Sequence, residues 1–156
     1  GRRARNVSVA DARKYVAGYT IMNDLSARDL SRRPDWPRWG IDWFGHKNFD
    51  GAAPMGPWIT PADQMPDPYA SRLELWVNAD KMQDTLVADL IFNIEEMIEY
   101  LSRRMTLLPG DVIATGTPSG VGYAMDPPRY LKPGDIVELG IAGLGTAKQR
   151  LVEWRR

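Results

Sequence analysis

Three short polar segments carry the side chains that could do chemistry. In the first, an apolar strand-like run from Tyr19 to Met22 ends at Asp24, Arg28 and Asp29. Acidic and basic groups gathered where a buried strand stops usually belong to a site, and a carboxylate at such a mouth suits a hard cation. Arg28 falls one helical turn after Asp24, so both share a face if a short helix starts there. Its planar guanidinium is suited to holding a carboxylate through two bonds. An ion pair of Arg28 with Asp29 or Asp24 fits the same spacing equally well, and Asp24 could simply cap the turn that Ser26 begins. The second segment, Gly45-His46-Lys47-Asn48-Phe49-Asp50, offers the Lys47 cation, either to a ligand or to Asp50. His46 would face the opposite side of an extended segment and is not taken as a base. The third is the glycine-rich loop Thr115-Gly116-Thr117-Pro118-Ser119-Gly120-Val121-Gly122. It lacks the Gly-Lys-Ser/Thr of a nucleoside triphosphate cradle, and the chain has no dinucleotide fingerprint. Thr117 and nearby backbone N–H groups could grip a carboxylate instead, or the glycines could serve a tight turn alone.

Composition narrows the chemistry. The 156 residues carry 20 basic and 20 acidic side chains, a formal charge of +0, so no global field favours nucleic acid or an anionic membrane. No apolar run approaches the roughly 18 residues of a membrane span, and no signal peptide is visible. The expected partners are small molecules or other subunits. With no cysteine and a single histidine, a disulfide framework, a thiolate site and a multi-histidine zinc site are excluded. A metal site in such a chain would be oxygen-rich, which suits magnesium, manganese or calcium. The absence of cysteine fits a reducing cytosol.

The elements that must position these groups read as follows. Ser8 and Asp11 resemble a capping box, with a short helix over 10–17 and Gly18 as its stop. A strand begins at about Tyr19. From Arg32 to Pro57 the chain reads as a long loop, broken by Pro34, Pro37 and Pro54, whose Trp36, Trp39, Trp43 and Phe44 would pack it onto the core or anchor a dimer. Leu73, Leu75 and Val77 alternate with polar neighbours, and Asn78-Ala79-Asp80 is a turn into an antiparallel partner. Asn93 and Glu96 form a second capping box ahead of the stripe Ile94, Met97, Ile98 and Leu101. Two similar phrases, Leu108-Pro109-Gly110-Asp111 and Leu131-Lys132-Pro133-Gly134-Asp135, each read as a turn launching a strand. A closing strand pair covers 136–141 and 146–152. The expected fold is α+β: a rolled, mixed or antiparallel sheet with about two short helices.

The ordered set of motifs resembles the C-terminal catalytic domain of the fumarylacetoacetate hydrolase family. Besides the three segments above it comprises Ala53-Pro54-Met55-Gly56-Pro57-Trp58, Leu75-Trp76-Val77-Asn78, Gln83-Asp84 and the two Pro-Gly-Asp phrases, and it runs from about Val16 to Glu153. The resemblance implies a metal-dependent enzyme acting on a small 2-oxo or 1,3-diketo acid, a cytoplasmic homodimer, with magnesium or manganese, or else calcium, as cofactor. It implies Asp24 as a metal ligand, Lys47 as the catalytic cation that stabilises an enolate, and Arg28, Gly116 and Thr117 as substrate-binding residues. Relatives add a Glu-x-Glu pair upstream of Asp24; here the first glutamate is Glu74, and Gly1-Arg2-Arg3 is similar to the turn that follows that strand. The expectation is therefore a single domain, 1–156, without the Glu-x-Glu strand and the lid that precede it in relatives. Ser31 departs from the glutamine that some relatives use on substrate. The implied reaction is hydrolysis of a C–C bond in an acylpyruvate or fumarylacetoacetate type of acid. Its alternatives are oxaloacetate decarboxylation or tautomerisation, isomerisation of a muconate-derived acid, or a non-catalytic domain of the same fold.

Overall fold

The structure, a computed structural model, describes residues 1–35 and 40–153. Trp36, Pro37 and Trp39 of the expected aromatic loop lie outside them. The chain is α+β, with six strands, two α-helices and several one-turn 3-10 helices among the described residues. Strands β1 (Gly18–Met22) and β2 (Met55–Pro61) form one antiparallel pair. Strands β3 (Arg72–Val77), β4 (Asp80–Leu86), β5 (Ile136–Ile141) and β6 (Gly145–Arg150) form a four-stranded sheet in the order β4-β3-β5-β6. Helix α1 spans Trp43–Lys47 and α2 spans Ile94–Arg104.

The sheet is antiparallel but not rolled as expected. Every strand pairing is antiparallel, and the strands divide into two separate sheets. The two sheets face each other through side chains: the Thr60 hydroxyl donates to the Gly143 carbonyl at 3.0 Å, and Asn23 Nδ2 donates to Gln149 Oε1 at 2.7 Å. Ile21, Val77, Val137, Leu139 and Leu144 close the main core between them. Alternation puts Leu75 and Val77 of β3 on the same face, next to Val137 and Leu139 of β5, as a half-buried strand requires.

Local chemistry accounts for most of the elements. The Asn78 turn closes β3 on β4 with Val77 opposite Asp80, and Asn78 takes the positive φ (56°) that asparagine tolerates. The same asparagine starts β5: its Nδ2 donates to Asp135 Oδ1 at 3.0 Å and its Oδ1 accepts from Ile136 N at 2.9 Å. Both Pro-Gly-Asp turns are locked alike, Asp111 accepting from Leu108 N at 2.7 Å and Asp135 from Lys132 N at 2.8 Å. Only the second launches a strand. Ile136 meets the open edge of β3, whereas 111–118 is irregular and finds no strand edge among the described residues.

Two expectations about the first third change. The helix over 10–17 is a 3-10 helix, Val9–Tyr15, and Ser8 donates to the Asp11 side chain (2.9 Å) rather than capping a backbone N–H. The presumed loop between Arg32 and Pro57 holds α1, capped by Asp42 accepting from Gly45 N at 2.8 Å, and the start of β2.

Helix α2 follows its sequence closely. Asn93 Oδ1 accepts from Glu96 N and Glu96 Oε2 from Asn93 N, both at 2.8 Å, satisfying two otherwise orphaned donors. Ile98 faces Ala4, Val7 and Ala12 in a second, smaller core. Fully buried Ser102 accepts from Val7 N at 3.0 Å, tying the first residues to the helix.

At the start of α2, Glu95 is gripped by Arg13 and by the Tyr69 hydroxyl. Burial pushes its carboxyl up, but the hydrogen bonds from Arg13 and Tyr69 outweigh that, and the group sits below the ordinary glutamate range. A carboxylate favoured in the folded state stabilises it above its unfolded pKa, and that contribution disappears as pH falls through the lowered folded value. The stability gap between the wild type and Glu95→Gln should thus be constant at neutral pH and close on the acid side. Urea unfolding across the pH range reads it, and a gap that persists at the acid end contradicts this account.

Candidate active site

The end of β1 is held from both sides. Asn23 N donates to Pro54 O and Leu25 N to Ala52 O, both at 3.0 Å. The chain between these two bonds carries Asp24, whose side chain is about half exposed. Ala27 N donates to His46 O at 3.0 Å, which docks α1 beside this segment.

His46 and Lys47 are adjacent on α1, not on an extended segment, and the turn of about 100° per residue still sends them apart. His46 is fully buried, its Nδ1 against the Asp42 carbonyl oxygen and its Nε2 without a hydrogen-bond partner among the described residues. Lys47 reaches across to Asp24, Nζ to Oδ2 at 2.5 Å. The alternative pairing of Lys47 with Asp50 is not the one formed. With side chains 22% and 49% exposed, such a pair contributes at most about 1 kcal/mol to stability. Its consequence is positional: the ammonium is fixed at the edge of a cleft.

That cleft, about 1040 Å³, is lined by all five residues singled out from the sequence: Asp24, Arg28, Lys47, Gly116 and Thr117. Arg28 opens a 3-10 turn, Arg28–Leu30, closed by the Ser31 hydroxyl donating to Arg28 O at 2.5 Å. Neither Asp24 nor Asp29 pairs with it. Its guanidinium lies over the Tyr123 ring, 4.6 Å from the centroid, which holds the plane by a cation–π contact and leaves its N–H edge for another acceptor. Gly116 has φ +104° with open space where a Cβ would project.

Two residues beyond the sequence assignments complete the arrangement. Tyr123 is the platform under Arg28. Gln83, buried on β4, donates from Nε2 to Thr117 Oγ1 at 2.9 Å and to Pro118 O at 3.0 Å. Below it the loop lies so close to β4 that a Cβ at Gly120 would fall 1.8 Å from the Met82 carbonyl oxygen. A glutamine at a core-facing place in a strand is the signal that could have found the first of these contacts, since a buried amide must bond to something.

The expected magnesium, manganese or calcium ion is a correction. Among the described residues no three His, Cys, Asp or Glu side chains gather where they could hold a metal ion. A hard divalent cation takes about six or more oxygen ligands, several of them charged. Of the two carboxylates that line the cleft, Asp24 and Asp29, Asp24 has one oxygen already on the Lys47 ammonium, so the described residues do not fit such an ion. Calorimetric titration of the 156-residue chain with magnesium or manganese should give no heat beyond dilution. Micromolar affinity would overturn the correction.

The fumarylacetoacetate (FAA) hydrolase C-terminal family profile matches residues 1–152, and the chain belongs to that family. It is 41% identical over 156 residues to the 2,4-didehydro-3-deoxy-L-rhamnonate hydrolase of Sphingomonas sp. (strain SKA58), covering 99% of this chain and 53% of that protein. To the oxaloacetate tautomerase YisK of Bacillus subtilis (strain 168) it is 40% identical over 151 residues, covering 97% and 48%. Among solved structures it is similar to the fumarylpyruvate hydrolase of Pseudomonas aeruginosa in complex with Mn2+ and pyruvate, with a TM-score of 0.85 and 33% identity, covering 97% of this chain and 61% of that one. The chain spans about half the length of the curated relatives it matches. None of its described helices is long and apolar enough to cross a membrane.

Proposed function

We propose that the protein carries out enol chemistry on a small 2-oxo acid, tautomerising or isomerising it, with residues 1–156 as one domain that supplies the anion-binding and charge-stabilising groups. The observation that carries this reading is the Lys47–Asp24 pair at the edge of the cleft that Arg28, Gly116 and Thr117 also line. In this reading the substrate carboxylate lies against the open edge of Arg28 and the Gly116–Thr117 segment. The 2-oxo oxygen then faces Lys47 Nζ. As a proton passes from the neighbouring carbon to solvent water in the open cleft, negative charge grows on that oxygen, and an ammonium already fixed by Asp24 stabilises it without first having to reorganise; reprotonation from water completes the tautomerisation. His46 takes no part in the proton transfer, because it is buried with Nδ1 committed to a backbone carbonyl.

The similarity to an oxaloacetate tautomerase supports this reading. Hydrolysis of a C–C bond in a 1,3-diketo acid is the second reading. It needs the same enolate, and the similarity to a fumarylpyruvate hydrolase favours it. Assembly as a homodimer is part of the proposal, supported by exposed Trp43 and Phe44 next to Lys47 on α1. The test is to follow, with the full-length protein, the ultraviolet decay of enol-oxaloacetate and the cleavage of an acylpyruvate. Accelerated enol decay is expected. Cleavage without it would select the second reading, and inactivity in both assays would sink the two together.

A further inference from the structure

The buried glutamine on β4 decides which way a hydroxyl in the cleft points. Gln83 is 7% exposed, and its amide faces two oxygens, Pro118 O at 3.0 Å and Thr117 Oγ1 at 2.9 Å. A peptide carbonyl only accepts, so the amide has one acceptable orientation: turned over, Gln83 Oε1 would oppose the Pro118 oxygen. The NH2 group has two protons, and these two acceptors use both. Thr117 therefore accepts from Gln83. Its own hydroxyl proton goes to no acceptor among the described residues, and the side chain is exposed on the cleft.

We infer that Gln83 is a positioning residue that makes Thr117 an O–H donor to an anionic oxygen in the cleft. This rests on the proposed 2-oxo acid site and specifies how that site holds its carboxylate. A glutamate at 83 has nearly the same shape but the opposite polarity. Ionised, it presents only acceptors. Protonated, it gives its proton to Pro118 and still presents an acceptor to Thr117. Either way the Thr117 proton turns inward, and its lone pairs face the bound carboxylate.

The experiment measures pyruvate affinity in the full-length protein for wild type, Gln83→Glu, Gln83→Met, Thr117→Val and the Gln83→Glu/Thr117→Val pair. Gln83→Glu and Thr117→Val should each weaken binding about tenfold or more, the range for a lost hydrogen bond to a charged group. Gln83→Met removes the donor without adding an acceptor and should weaken it less. The double variant should be no worse than Thr117→Val alone. Wild-type affinity in Gln83→Glu, equal losses in the Glu and Met variants, or multiplying effects in the double variant would each overturn the inference. If Gln83→Glu does not fold, Gln83→Met and Thr117→Val carry the comparison, with Met expected to be the milder. A direct readout stands apart from ligand binding: both Gln83 Nε2 protons should exchange slowly with solvent by NMR, and Thr117→Val should release one. Failure of the wild type to bind pyruvate would remove the proposed function, and the exchange rates would then decide the Gln83 assignment alone, fast exchange of both protons refuting it.

Discussion

Replacing Lys47 by alanine should lower kcat/KM on any 2-oxo acid that the full-length protein turns over by about two to three orders of magnitude, ~2.7–4 kcal/mol of transition-state stabilisation. The size follows from what is removed. Lys47 Nζ is held by a carboxylate at the cleft edge, 2.5 Å from Asp24 Oδ2, and a preorganised charge matters most where charge develops. Folding should hardly change, since a partly exposed ion pair is worth at most about 1 kcal/mol. Steady-state kinetics beside urea unfolding separates the two effects. A Lys47→Ala protein with full activity, or one whose lost activity tracks lost stability, would show that this lysine is not the electrophilic group.

Gly120→Ala should fail for a steric reason. Its backbone has φ +101°, and an added Cβ would lie 1.8 Å from the Met82 carbonyl oxygen and 2.8 Å from its carbon. The left-handed conformation and the overpacking together cost about 2–5 kcal/mol, unless the loop lifts from β4. Lifting breaks the Gln83 bonds to Thr117 and Pro118. Destabilisation in urea and loss of pyruvate affinity should therefore appear together, or binding alone should fail if the loop gives way. An alanine variant that folds and binds like the wild type contradicts the close docking of this loop.

The parts of the fold legible in the sequence are those specified by nearby residues. The α2 capping box, the Asn78 turn and the alternation of Leu73, Leu75 and Val77 each act within a few positions, and each appears where expected. Strand β2 was hidden because Pro57 and Pro61 break the pattern that its pairing with β1 follows. The five-residue α1 was hidden because one turn leaves no periodicity to read. Curvature is likewise absent from local pattern, so a roll was expected where two sheets form.

The site divides in the same way. Asp24, Arg28, Lys47, Gly116 and Thr117 were singled out by residue type and motif order, and they line one cleft. What they bond to was not legible. Asp24 and Lys47 are 23 positions apart and Gln83 and Thr117 are 34 apart, so each contact exists only once distant elements are docked. The metal expectation failed for a related reason: ligation needs several carboxylates at one point, and the type of a single aspartate says nothing about what surrounds it.

A crystal structure of the full-length protein soaked with pyruvate tests the central claim most directly. The account predicts the carboxylate between Arg28 and Thr117, with the 2-oxo oxygen within hydrogen-bond reach, roughly 2.6–3.2 Å, of Lys47 Nζ. Pyruvate bound elsewhere, or bound in this cleft with Lys47 turned away from it, would contradict the account.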